Sequence, residues 1–79
     1  MHPDEFIRVD GTVLRPLSEA LYRVALKNGH ELVGHLAKTL KATPPSIRPG
    51  SVVQLELSPC DLSRGRILAV HPATAANAT

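Results

Sequence analysis

The chain of 79 residues has no tryptophan, one phenylalanine, one tyrosine and one cysteine. Each scarcity excludes something. Phe6 and Tyr22 cannot furnish the series of aromatic platforms on which single-strand binders stack successive bases, so any nucleic-acid partner has to be gripped through charge and shape. Cys60 alone closes no intramolecular disulfide and builds no cysteine-based zinc site, which suits a reducing compartment. No apolar run approaches the roughly 18 residues that span a bilayer, and the start M-H-P-D-E lacks a basic leader, so the expectation is a cytoplasmic protein with no membrane partner. Acidic residues are slightly outnumbered, seven Asp+Glu against nine Lys+Arg, and a pI near 9.1 leans toward polyanionic partners.

What is present is mostly two-residue periodicity. A chain of this length holds one small domain, whose core supplies only about 3 to 5 kcal/mol. From Phe6 to Leu14, Ile7, Val9, Gly11 and Val13 share one side and Arg8, Asp10 and Thr12 the other, the pattern of a half-buried strand. Arg15 to Glu19 interrupt it. Tyr22, Val24 and Leu26 then alternate with Arg23 and Ala25 up to Lys27-Asn28-Gly29, where Asn-Gly predicts a tight type I′ hairpin turn. Glu31 to Leu36 return as a third strand. Ala37 to Ala42 are mostly helix formers and predict one or two turns, stopped by Thr43-Pro44-Pro45. Val52 to Leu57 form a fourth strand, Pro59 to Arg64 a turn region, and Arg66 to His71 a fifth strand. The small, polar residues after it are expected to form a disordered tail, which divides the chain into a domain at 1–71 and a tail at 72–79.

Five short strands with a brief helix between the third and fourth predict an all-β, five-stranded OB-fold, a Greek-key barrel. An SH3-like or other small barrel is the alternative. The expected core comprises Ile7, Val9, Val13, Tyr22, Val24, Leu26, Leu32, Leu36, Val53, Leu55, Leu57 and Ile67.

Candidate functional residues lie in S-P-C-D-L-S-R-G-R-I, Ser58 to Ile67. Gly65 permits a bend or bulge that would aim Arg64 and Arg66 outward, and paired guanidinium forks match phosphate oxygens. The bland alternative is that both arginines solvate a turn and pair with Asp61. Lys38 and Lys41 share a face of the short helix and either extend a positive patch or simply meet solvent. His30 and His35 are five apart, an odd spacing that sets them on opposite faces of a strand, so no metal site is expected. Cys60 has no base-and-orienter set around it, and no paired carboxylates or phosphate loop appear anywhere, so neither enzymatic chemistry nor a cofactor is expected.

D-G-T-V-L at Asp10 to Leu14, Y-R-V-A-L-K-N-G-H at Tyr22 to His30 and L-S-P-C-D-L-S-R-G-R-I at Leu57 to Ile67 resemble bacterial translation initiation factor one. The resemblance spans Phe6 to Ile67. It implies an OB barrel that occupies the aminoacyl site of the small ribosomal subunit, contacts its 16S-type ribosomal RNA beside other initiation factors as a monomer, and aids assembly of the initiation complex. It implies RNA contacts at Arg64, Arg66, Lys41, Lys38 and Arg48, and at His35, which otherwise reads as a capping or surface histidine. The chain departs from the family where a basic and aromatic helix-loop is usual, carrying T-L-K-A-T-P-P-S instead, and Cys60 stands where a tyrosine is usual. That thinner charge supports a second reading, an OB module that binds a protein partner or another structured RNA.

Overall fold

Six elements follow one another in the computed structural model, which describes residues 6–71: β1 (Ile7–Ser18), β2 (Leu21–Leu26), β3 (Glu31–Leu36), α1 (Lys38–Ala42), β4 (Val52–Ser58) and β5 (Asp61–Val70). The strands close into a barrel in the order β1-β2-β3-β5-β4, with β4 returning to β1. Every neighbouring pair is antiparallel except β3 and β5, which run parallel because α1 and β4 intervene between them. This is the OB-fold layout, and closure leaves few strand edges unpaired. No helix among the described residues is long and apolar enough to cross a membrane.

β1 belongs to both sides of the barrel. Its first half pairs with β4, from Ile7 opposite Leu57 to Thr12 opposite Val52, and its second half with β2, from Gly11 opposite Leu26 to Ser18 opposite Leu21. Gly11 and Thr12 pair on both sides, so the strand turns its corner there. A β-carbon on Gly11 would lie 2.5 Å from Val24 Cγ1 and 3.2 Å from the Ala25 carbonyl oxygen, so the crossing needs glycine for space. At Gly65, in the β5 seam, a β-carbon would meet the tip of Leu57 at 2.5 Å and displace that side chain.

Val13, Val24, Leu32, Leu36, Val53, Leu55, Leu57 and Ile67 are buried and form one cluster, with Val9, Tyr22, Leu26, Leu40 and Ile47 among those packed on it. Ile7 corrects the expected core, being 41% exposed. Before Gly11, β1 has β4 beside it but not β2, so the side chain at Ile7 lacks a covering strand on one side.

Three local expectations change. Arg15 to Ser18 do not interrupt β1; they continue it, with register shifts between Val13 and Arg15 and between Pro16 and Ser18. Bulges of this kind absorb the residues that break the alternation, and Pro16 is tolerated where β1 has β2 on one side only. The hairpin is not type I′. Gly29 N donates to the Leu26 carbonyl at 2.9 Å, Leu26 N donates to the His30 carbonyl at 2.8 Å, and Gly29 alone in the turn has positive φ, 89°. That is a type I turn followed by a glycine bulge. β5 starts at Asp61, five residues before the expected Arg66, so Arg64 and Gly65 lie within a strand. The expected tail, 72–79, lies outside the described residues.

The corner and the core give a stability test. Gly11→Ala should cost about 1 to 3 kcal/mol, because Val24 is stiff at χ1 and cannot move aside, and Leu55→Ala about 2 to 5 kcal/mol through the cavity it leaves. Chemical denaturation measures both. A Gly11→Ala protein as stable as the parent would mean that β1 does not turn through that corner.

Candidate functional site

The site is built on the seam between β3 and β5. Gly34 pairs with Gly65 in the parallel ladder and both are buried, so the residues on either side of each glycine point out of the barrel. Val33 therefore stands beside Arg64, and His35 beside Arg66, on the outer surface. Gly65 has no positive φ. Strand alternation aims the two arginines outward, and the glycine supplies room for Leu57 beneath. An irregularity does lie next to it: the β4–β5 register shifts between Glu56, opposite Arg66, and Ser58, opposite Asp61.

The turn before the seam is held in two ways. Asp61 Oδ1 accepts hydrogen bonds from Ser63 N at 3.1 Å and Ser63 Oγ at 2.6 Å, which hold its carboxyl below the usual carboxylate range, with Arg64 adding a smaller push. His30 Nε2 donates to the Leu62 carbonyl at 2.8 Å and ties this turn to the β2–β3 hairpin. Asp61 thus turns to Ser63, and Arg66 finds Glu56 instead. Cys60 is exposed in the same turn.

Register extends the row around the barrel. Leu21, His35, Arg66, Glu56 and Arg8 are successive cross-strand partners from β2 through β3, β5 and β4 to β1. Arg66 Nη1 and Arg8 Nη2 each stand 3.9 Å from an oxygen of Glu56. That spacing is too long for a hydrogen bond, and pairs of this exposure contribute only about 0 to 1 kcal/mol. With its side chain 55% exposed, Arg66 is steered by Glu56 and keeps its donors open to solvent. A shallow depression of about 160 Å³ lies over this region, lined by Phe6, His35, Glu56, Ser58 and Asp61 together with Arg64 to Arg66. It is smaller than the roughly 300 to 1,000 Å³ of small-molecule pockets and suits contact with a surface.

The predicted residues divide into two groups. His35, Arg64, Arg66 and Lys41 come together: the pKa of His35 lies below 6.5, first through burial and then through the charges of Arg66, Lys41 and Arg64 in that order. Lys41 is brought there by α1, which lays Leu40 against the core. Lys38 is exposed at the start of that helix, and Arg48 lies in a turn tied to β1, where Gly50 N donates to the Val13 carbonyl and Val13 N to the Ser51 carbonyl. Neither is among the charges that act on His35. Arg8, Glu56 and Phe6 join the region without a signal in the sequence, since only the register of β4 against β1 and β5 reveals the first two.

The sign of the His35 effect is definite. With a folded pKa below the unfolded one, its contribution to stability is full above pH 6.5 and is lost as the pH falls through the folded value. In an NMR titration of the imidazole, Arg66→Ala should move the pKa of His35 up toward 6.5 without reaching it, since burial persists. An unchanged pKa would mean that Arg66 does not face His35.

No family model matches the chain. A solved structure does: the solution structure of translation initiation factor one from the Wolbachia endosymbiont strain TRS of Brugia malayi is 30% identical, with 96% of this chain and 94% of that one covered and a TM-score of 0.68. With that identity spread over nearly the whole of both chains, and with the closed five-stranded barrel that the three sequence motifs imply, the chain belongs to the translation initiation factor one family.

Proposed function

We propose that this protein acts in translation initiation by binding ribosomal RNA at the aminoacyl site of the small ribosomal subunit, where it aids assembly of the initiation complex without catalytic chemistry. The observation that carries the reading is the β3–β5 seam, which holds Arg64, Arg66 and His35 on one outward surface with Lys41 alongside. Arginine keeps its charge at every relevant pH, and its planar fork meets phosphate oxygens two at a time. His35 adds a group that gains a proton when an anion is brought near. On this reading Lys38 and Arg48, which do not join the group around His35, serve as outlying phosphate contacts. The protein works as a cytoplasmic monomer beside other initiation factors.

Salt dependence tests it. If three to five phosphates are neutralised, log K for purified small subunits should fall with log salt at a slope of about −2 to −4. Arg66→Lys should weaken binding at nearly the parent slope, because charge remains while the fork is lost, whereas Arg66→Ala should lower the slope by about one. Co-sedimentation across a salt series measures all three proteins. A flat slope, or an Arg66→Ala protein that binds like the parent, favours the second reading, a protein partner.

A further inference from the structure

A second row of positive charge crosses the outside of the barrel. Arg15 is the cross-strand partner of Arg23, Arg23 of Val33, and Val33 of Arg64, so one line runs from β1 through β2 and β3 to β5. The line faces outward, since Val24 and Leu32, adjacent to Arg23 and Val33 in sequence, point into the core. Arg15 owes its place to the register shift after Val13: Val13 opposes Val24, and an unbroken ladder would set Leu14 against Arg23. The bulge skips Leu14 and delivers a second arginine instead.

Like charges directly opposite each other across a strand pair are destabilising. Among the described residues no carboxylate forms an ion pair with Arg15, Arg23 or Arg64. The arrangement therefore opposes folding in the free protein and becomes favourable once an anion is shared between the two forks. Arg64 lies two strands from Arg23, about 10 Å away at ordinary strand spacing. Leu21, Val33, His35 and Arg64 line an open trough beside this row, with an aliphatic floor and Arg64 as its fixed charge. A sugar-phosphate backbone matches that profile, with ribose over the aliphatic floor and phosphate oxygens on the guanidinium groups.

We propose that Arg15, Arg23 and Arg64 form a phosphate-binding row that carries the RNA contact from the β3–β5 seam around the barrel onto β2 and β1. The row rests on the RNA-binding reading above and shares Arg64 with it.

The test uses the double variant Arg15→Gln/Arg23→Gln of the full chain. It should bind purified small subunits with a salt slope lower than the parent's by about one, since the two forks share one phosphate, and its melting temperature should rise because the opposed charges are gone. That gain separates weakened binding from misfolding. If the double variant binds with the parent's affinity and slope while Arg66→Ala is weakened, the row is overturned and the function stands. If the parent does not bind subunits at all, the function fails, and an NMR titration with a folded RNA hairpin of arbitrary sequence decides the row separately. Shifts at the amides of Arg15, Arg23 and Arg64 support it. Their absence, or equal shifts produced by poly-L-glutamate, overturns it in favour of no ligand or an acidic protein.

Discussion

Everything on the outer surface depends on the contact of two glycines, Gly34 in β3 and Gly65 in β5, side by side in the parallel ladder. The barrel is small, and at this seam a β-carbon on Gly65 would overlap the tip of Leu57 and force it to shift, while one on Gly34 would crowd Val24 and Ile67. Glycine at both inward positions lets these side chains pack where they do. Once the seam is closed, the residues flanking each glycine have no freedom in their direction. Packing inside the barrel thus fixes the pairing of His35 with Arg66 outside it.

The charges on that surface are arranged loosely. Glu56 stands between Arg8 and Arg66 at distances that steer without binding tightly. A short, bidentate pair would have engaged the donors that a phosphate needs, and would have to be broken before binding. Asp61 is kept from the arginines by its hydrogen bonds to Ser63. The result is a positive surface with an acidic residue in it, which orders the arginines while leaving most of their hydrogen-bonding capacity to a partner.

Strand phase was legible in the sequence because a small barrel buries one face of each strand, and Val13, Val24, Leu32, Val53, Leu55 and Ile67 fall on that face. Ile7 obeys the same phase and is exposed nonetheless, since burial there depends on which strands lie alongside, and that is a property of the closed barrel. The start of β5 was hidden by its composition: Asp61 and Ser63 bond to each other as a turn would, yet their backbone continues the strand. Arg64 and Arg66 were identifiable from the R-G-R pattern within the longer motif, but the reason they point outward was not. Glu56 could not be matched to Arg66, because the β4–β5 ladder carries register shifts on both sides of that pair, and Arg8 joins only through the pairing of β1 with β4, which barrel closure sets.

The bulge after Val13 joins these threads. A regular β1 would place Leu14 opposite Arg23 and leave an apolar residue beside a charge, a neutral arrangement for stability. The extra residue replaces it with two facing arginines and continues the strand through Pro16, at a place where β1 has a partner on one side only. Natural sequences tend to resolve such local conflicts unless something outside the chain does so. The proposed row draws that opposing charge from a phosphate backbone, and it would extend the positive surface from Arg66 at the seam to Arg15 on the far strand. An OB barrel with few aromatics and a thin helix-loop can in this way spread its contacts along the strands, where register holds each guanidinium in place and little conformational entropy is lost on binding.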